Sequence, residues 1–426
     1  MSSLNSDQGT GPLSGLRVID WTHVLAGPFT GYQLALLGAE VIRIERADGD
    51  DMIRSKSLDP QLSEAGLGDT FVAQGSGKQS VAVDARDPVV KKALQALIAS
   101  ADVLIENFRP GKMAALGFDP AELICRHPQL TVCSITGFGP ESDRRAYDHV
   151  IQAESGLMQA NASSDGTPQR IAFPIVDYAV GQQAALAIVT ALLRRERTDS
   201  AVRSRGEWLQ VTMLGAALTL MAPVYASELV SGRKSQRSRS TAFSGSPLSG
   251  TFAAGNGHLA IVCNAPAQVT GLWLALAEAG LPQGEVQALG RLAGEGRIEE
   301  TQQMLGHWLL KESAAVWFDR LSRHGVPAAV VADPMQAVRS VCSNWPEVDL
   351  AMGADSPRRV RVPGIGFSST KALTGQLAAP QRRGEHTRQW LEGAGLAREE
   401  IASLLERGKV FEPNEPGDVG NPNRRH

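Results

Sequence analysis

The stretch Gly15–Arg46 reads GLRVIDWTHVLAGPFTGYQLALLGAEVIRIER. It opens with the β-rich run GLRVIDW. The apolar GPFTGYQLALLG follows, with Pro28 suited to a first helical turn and Gly38 to the position just past a helix end. AEVIRIER then reads as a second strand. Strand, helix and strand in so short a span make the βαβ unit of a parallel sheet.

The alternation continues downstream. QSVAVD is a strand, and DPVVKKALQALIAS is a helix opened by Asp87 and Pro88. DVLIENF is a strand, DPAELICRH a helix opened by Asp119 and Pro120, and LTVCSITGFG a strand. This order predicts an α/β domain with a mostly parallel sheet. In such sheets ligands sit where strand C-terminal ends meet helix N-termini. The places to examine are therefore Thr22–Pro28, Glu45–Arg46, Asn107–Arg109 and Thr136–Gly139.

Near residue 200 the pattern changes. RRERTDSAVRSRGEW reads as a charged surface turn. VSGRKSQRSRSTAFSGSPLSG, rich in Ser, Gly and Arg, reads as a mobile connection. TFAAGNGHLAIVC reads as a hairpin around Asn256–Gly257. Helical stretches follow over roughly 267–279 and 301–324, β-like sequence lies near Val360, and the polar end FEPNEPGDVGNPNRRH reads as disordered. This suggests a second, smaller α+β domain.

The 426 residues allow a large core, and 43% hydrophobic with 20% charged residues is ordinary for a globular protein. A net charge of −3 gives no basic field for nucleic acid or membrane. Cys125, Cys133, Cys263 and Cys342 are scattered and form no CxxC pair, and the eight histidines show no metal-ligand spacing. No unbroken run of 18 apolar residues suggests a membrane span, and the N-terminus lacks a signal-peptide core. The expected compartment is cytoplasmic, with no metal, no nucleic-acid partner and no membrane partner.

The first βα turn carries only Gly27 and Gly31, not GxGxxG, which disfavours a dinucleotide site; Glu45 reads as a surface acid. QGSGKQS is not a P-loop, since Gln79 follows Lys78 and Val72 occupies the first glycine position. It reads as a turn leading into a strand. Asp177 stands before the apolar helix AVGQQAALAIVTALL. One reading is an N-cap, its side chain accepting a backbone N–H. The other is a carboxylate nucleophile, kept ionised by the helix N-terminus. Asp148, in AYDHVIQAESGLM, likewise reads as a cap of its own helix. Arg144 and Arg145 upstream are either solvated charges or phosphate binders.

Taken together, PLSGLRVIDWTHVLAGPFTGYQLALLGAEVIRIERADGDD, DVLIENFRPGKMAALGF, HPQLTVCSITGFGP, AYDHVIQAESGLM, PIVDYAVGQQAALAIVTALLRRERT and GEHTRQWL resemble the class III CoA-transferases. That family includes formyl-CoA and carnitine CoA-transferases and the α-methylacyl-CoA racemases. The resemblance implies a Rossmann-like large domain built from both chain ends, a smaller α+β domain and an interlocked homodimer. The corresponding division is a tail over 1–11, the large domain over 12–225, the small domain with its connections over 226–344, a return to the large domain over 345–410 and a tail over 411–426.

The family nucleophile stands in a P-x-x-D-x-x-x-G context, here Pro174, Asp177 and Gly181. The resemblance implies that Asp177 takes an acyl group from an acyl-CoA thioester, and that CoA passes through an aspartyl thioester to a small carboxylic acid. Coenzyme A is then a co-substrate, with no tightly bound cofactor. By motif match its contacts are Val24, Leu25, Arg46, Asn107, Phe108, Arg109 and Arg145, with Val83 to Arg86 at the adenine end. Tyr147, Asp148 and Gly245 stand near the substrate or behind the nucleophile. In the racemase branch a histidine directly precedes the Asp of AYD. Here Tyr147 holds that place and His149 lies on the other side, which disfavours a 2-methylacyl-CoA racemase. A catalytically silent acyl-CoA-binding protein of the same fold is the further alternative. The glycine-rich lid of some transferases has only Gly245 and Gly250 as counterparts in AFSGSPLSG.

Overall fold

Seven strands form the main sheet of the computed structural model, which describes residues 11–49, 51–163, 165–199, 206–233, 245–350, 358–373 and 377–413. Most of the expected N-terminal tail, residues 234–244 of the Ser/Gly/Arg-rich connection, residues 200–205 of the charged turn and the C-terminal tail from 414 lie outside them. The strands are β1 (Arg17–Trp21), β2 (Glu40–Arg46), β3 (Lys78–Val83), β4 (Val103–Glu106), β5 (Thr131–Thr136), β6 (Glu207–Thr212) and the two-residue strand Val410–Phe411. The spatial order places Val410–Phe411 first, followed by β3-β2-β1-β4-β5-β6. Every pairing is parallel except that of Val410–Phe411 with β3. The order 3-2-1-4-5-6 is the doubly wound arrangement, and it reverses between β1 and β4. A crevice at their C-terminal ends is the expected ligand position.

The helices follow from local chemistry. They begin with α1 (Ala26–Leu36), α2 (Pro60–Glu64), α3 (Asp69–Gly75), α4 (Pro88–Ala99), α5 (Lys112–Leu116) and α6 (Pro120–Arg126). Next come α7 (Asp148–Glu154), α8 (Leu157–Ala160), α9 (Ile175–Arg197) and α10 (Met213–Leu220). Asp87 caps α4 by accepting the N–H groups of Val89 and Val90, with Pro88 in the first turn. Val90, Ala93, Leu94, Leu97 and Ile98 then bury one stripe of α4 against the sheet. Along β1 the side chains alternate: Ile19 and Trp21 join the α4 face, while Val18 joins the face of α1 and α9.

Helix α1 is buried over nearly its whole surface, so it is apolar all round. Its glycines serve close packing. A Cβ on Gly31 would stand 2.8 Å from Asp20 Oδ2 and 3.1 Å from Lys78 Nζ, a fully buried ion pair. A Cβ on Gly181 of α9 would stand 2.8 Å from the Ala26 carbonyl oxygen. The two helices therefore cross at Gly181. By length and composition alone α9 meets the requirement for a membrane span. The count of consecutive apolar residues passes over it because Asp177, Gln182 and Gln183 interrupt the run. In the fold it serves as a core helix, burying Val176, Val180, Ala184, Ile188 and Leu192 against α1, α10, β5 and β6.

Internal contacts separate two units. One holds the main sheet and comprises the described residues up to Leu157, Ile171–Met221 and those from Cys342 onward. Within it the far end of the chain supplies helices Thr387–Gly393 and Arg398–Glu406 and the last strand. The other comprises Met158–Arg170 and Ala222–Val341. Its sheet is antiparallel: β7 (Gly250–Ala253) pairs β8 (His258–Ile261), which pairs β9 (Ala328–Val330). The hairpin expected at Asn256–Gly257 is present. The helix expected over 301–324 is two, Ile298–Leu309 and Ala314–Arg323, because Ser313 caps a new start by accepting the Val316 N–H. Helix Gln283–Gly294 and strand β6 escaped the sequence reading.

Candidate active site

The crevice between β1 and β4 is built by two loops that hold one another. The Asn107 amide accepts the His23 N–H and donates to the His23 carbonyl, both at 2.9 Å. Thr22 is anchored beneath by donating to the buried Asp20 carboxylate. Beyond this clamp Val24 has φ 66°, the one positive value among the described non-glycine residues. For a β-branched side chain that conformation costs about 1–3 kcal/mol. Leu25 then occupies the N-cap of α1.

Beside the clamp lies a cavity of about 310 Å³. One wall is aromatic: Phe108 packs edge-on against Trp21 at 5.7 Å and against His23 at 5.1 Å. Burial and then the nearby Arg43 charge lower the His23 pKa. Arg46, Val83, Asp84, Ala85 and Arg86 also line it, with Lys112 and Leu116 from α5. Arg46 donates to both carboxylate oxygens of Asp48, at 2.9 and 2.5 Å. Arg86 donates to both of Asp84, at 2.8 and 3.0 Å. Arg86 hydrogen bonding holds the Asp84 carboxyl far below the usual range, against the smaller effect of burial. Glu45, expected as a surface acid, is buried instead. Burial alone would raise its pKa, but a two-pronged pairing with Arg54, 2.6 Å on each side, brings it down to about 2.

Asp177 sits in the first turn of α9. It is not the N-cap; Pro174 holds that position. The capping carboxylate comes instead from Asp148, whose Oδ2 accepts the N–H groups of Val176 at 2.7 Å and of Asp177 at 3.3 Å. Asp148 does not cap its own helix, where it is the first residue after the Tyr147 N-cap. Its Oδ1 accepts from Gln152 Nε2 at 2.6 Å, one turn along α7. The fully buried Gln152 also accepts the Ile171 N–H at 2.8 Å, tying down the segment before α9. The helix N-terminus does not keep Asp177 readily ionised. Burial, and then the Asp148 charge, push its pKa up to about 7. Asp177 lies four positions before Gly181, one turn earlier on the face of α9 that meets α1. Its neighbour Tyr178 accepts from Gln74 Nε2 at 2.9 Å and packs edge-on against Phe29 at 4.6 Å.

Of the residues singled out in the sequence, Arg46, Val83, Arg86 and Phe108 line one cavity. Asn107 shapes it through His23, and Val24 and Leu25 form the adjoining turn. Arg109 and Arg145 are exposed and do not line it. Tyr147 is 63% exposed beside the buried Asp148, and His149 is also exposed. Gly245, with φ 73°, belongs to the other unit. Sequence reading covered His23 only as part of Thr22–Pro28 and missed Trp21, Lys112 and Gln152. Lys112 could have been found from its place three residues after Arg109 at a helix start, and Gln152 from its i+4 spacing to Asp148. Among the described residues no group of three or more His, Cys, Asp or Glu side chains could hold a metal.

The chain matches the family model of CoA-transferase family III over residues 13–387. It is 30% identical over 395 residues to a probable fatty acyl-CoA transferase of Mycobacterium tuberculosis, covering 89% of this chain and 97% of that one. It is also 30% identical over 388 residues to a succinyl-CoA:glutarate CoA-transferase of Mus musculus, covering 89% and 86%. Among solved structures, a CAIB/BAIF family protein from Brucella suis aligns with a TM-score of 0.72 at 26% identity, covering 90% of this chain and all of that one. The mixed α/β architecture, the long match from Leu13 to Thr387 and these relatives together make the chain an enzyme of CoA-transferase family III.

Proposed function

We propose that this enzyme moves CoA from an acyl-CoA thioester to a small carboxylic acid through covalent intermediates on Asp177. The observation that carries the reading is a carboxylate in the first turn of a core helix, partly buried and set beside a second carboxylate, Asp148. A carboxylate oxygen of Asp177 attacks the thioester carbonyl, the C–S bond breaks, and CoA leaves as the thiolate. The thiolate then attacks Cγ of the mixed anhydride and releases the donor acid as its carboxylate, leaving an aspartyl–CoA thioester. The acceptor carboxylate attacks that Cγ and expels CoA thiolate again. Finally the thiolate attacks the acceptor's acyl carbon, forming the new acyl-CoA and restoring Asp177. Partial burial of Asp177 limits competing attack by water on the anhydride.

CoA carries phosphates at one end, and the cavity offers Arg46, Arg86 and Lys112 for them beside an aromatic wall for its ring. Succinyl-CoA and glutarate, which name the mouse relative's reaction, suggest small dicarboxylic acids as first donors and acceptors to try. The same reading includes an interlocked homodimer of two-domain chains in the cytoplasm.

The test is trapping. The protein is incubated with a panel of acyl-CoA thioesters, quenched with hydroxylamine or borohydride, and digested for mass spectrometry. Modification at Asp177 is the expected outcome. A panel that binds but leaves Asp177 unmodified would remove the covalent mechanism.

A further inference from the structure

We infer that Asp148 is a positioning residue for Asp177: it holds the first turn of α9 through two backbone N–H groups and sets a second negative charge against the nucleophile. The inference rests on the covalent reading of Asp177 and adds to it a residue 29 positions away in the chain.

The geometry is unusual for a cap. Most N-cap side chains belong to the residue at the helix start. Here that residue is Pro174, which has no side-chain acceptor, and the cap is supplied from α7. Asp148 is 8% exposed, and its three acceptances leave it little freedom. Gln152 fixes its other oxygen and also binds backbone groups of Ile171 and Phe173, so the whole approach to α9 is one bonded unit. A neutral side chain could cap equally well; a charged one has a second effect. The positive end of the α9 dipole would favour an ionised Asp177. Asp148 occupies the N–H groups that carry it and opposes it with like charge.

The other elements packed on α9 do not cancel that charge. α1 brings only Tyr32, which bonds the Pro363 carbonyl. β5 brings only Cys133, buried in the sheet, and α10 brings no titratable group. Glu207 of β6 pairs with Arg194 at the far end of α9. On α7 itself, Glu154 pairs with Arg144 and His149 is exposed. On α9, Tyr178 is the adjacent titratable group and is engaged by Gln74. Among the described residues of these elements no cation is paired with Asp148 or Asp177, so the like charge of Asp148 acts on Asp177 in the free enzyme. This repulsion ends when Asp177 is acylated, because the negative charge leaves on the CoA thiolate as the C–S bond breaks. Asp148 thus makes Asp177 a stronger nucleophile and favours the acylated state.

The test compares wild type with Asp148→Asn, which keeps one oxygen acceptor for the cap, removes the charge and gives up the bond accepted from Gln152. Acylation by a thioester that labels wild-type Asp177 is followed in single turnovers from pH 5 to 9. The expected result is an acid limb displaced to lower pH by about one unit, with the labelled fraction reduced about tenfold and CoA affinity within about twofold of wild type. An unmoved acid limb with undiminished labelling would overturn the inference. Should Asp148→Asn fail to fold, Asp148→Glu keeps the charge but displaces the cap. It should leave the acid limb in place and slow acylation about tenfold, and undiminished acylation there would overturn the inference too. Failure of the covalent reading is distinct: wild type itself would then show no label at Asp177 with any thioester.

Discussion

At the cavity, each lining arginine stands against an aspartate; at the start of α9, two aspartates stand against each other. In the first arrangement the arginines are exposed and the charges are opposite in sign. Such pairs contribute little, because water competes for both partners. An incoming phosphate can therefore take Arg46 from Asp48 or Arg86 from Asp84 at small cost. The second arrangement is shielded from water and alike in sign. Solvent cannot relieve it, and the step that does is neutralisation of Asp177. Binding is thus assigned to groups that exchange partners easily, and chemistry to a group held in an unfavourable state by the packing around it.

The sharpest way to break this division is Asp177→Ala. Transfer should fall by on the order of 10⁴-fold or more, as when a covalent nucleophile is removed, while CoA still binds with near wild-type affinity by calorimetry. Loss of both together would show that the two ends are not separable.

A smaller effect is expected at the clamp joining the loops of the cavity. Asn107→Ala removes both bonds to the His23 backbone and frees Val24 to leave its positive φ. Loss of the two bonds should lower unfolding free energy by about 1–3 kcal/mol in urea titration. CoA affinity should weaken about tenfold, since the turn is no longer held in its binding shape. A variant with wild-type stability and affinity would show that the clamp is incidental.

The pattern of these parts was unevenly visible in the sequence. The βα alternation, the Asp87 and Asp119 caps and the Asn107–Phe108 strand end could be read because each depends on residues a few positions apart. Asp177 stood out through Pro174 and Gly181, and the structure gives Gly181 a reason, its close approach to Ala26. The Asp148 cap could not be read, because it joins α7 to α9 across 28 residues to Val176. The burial of Glu45 was hidden for the same reason, since its partner Arg54 lies in the next loop. Short edge strands such as Val410–Phe411 carry too few residues to show a period.

The pH dependence of stability at the α9 end provides a further contrast. Asp177 has a folded pKa raised to about 7, above that of an ordinary aspartate in the unfolded chain. The folded state then binds the proton more tightly, so this group's contribution to stability is greatest below the unfolded pKa. It declines as pH rises toward about 7 and is flat above. Asp177→Asn, which cannot ionise, should melt higher than wild type at pH 8, with the advantage shrinking by pH 5. Equal melting differences at both pH values would mean that Asp177 is not held against ionisation.

The smallest effects lie among the cavity cations, where they test whether the ion pairs are exchangeable. Lys112 is exposed and has no ion-pair partner among the described residues, so its charge is available to a ligand without displacing another group. Arg46 must first leave Asp48. Lys112→Ala should therefore weaken CoA binding about fivefold, and Arg46→Ala somewhat less, both effects fading as salt is raised from low to physiological strength and beyond. Asp48→Ala works in the opposite direction: it removes the carboxylate that competes for Arg46 and should strengthen CoA binding about twofold at low salt. If Asp48→Ala weakens binding instead, Asp48 orients Arg46 for the phosphate rather than competing with it. The cavity would then be preorganised in the same sense as the α9 end, and the contrast between the two regions would lie only in the sign of the charges.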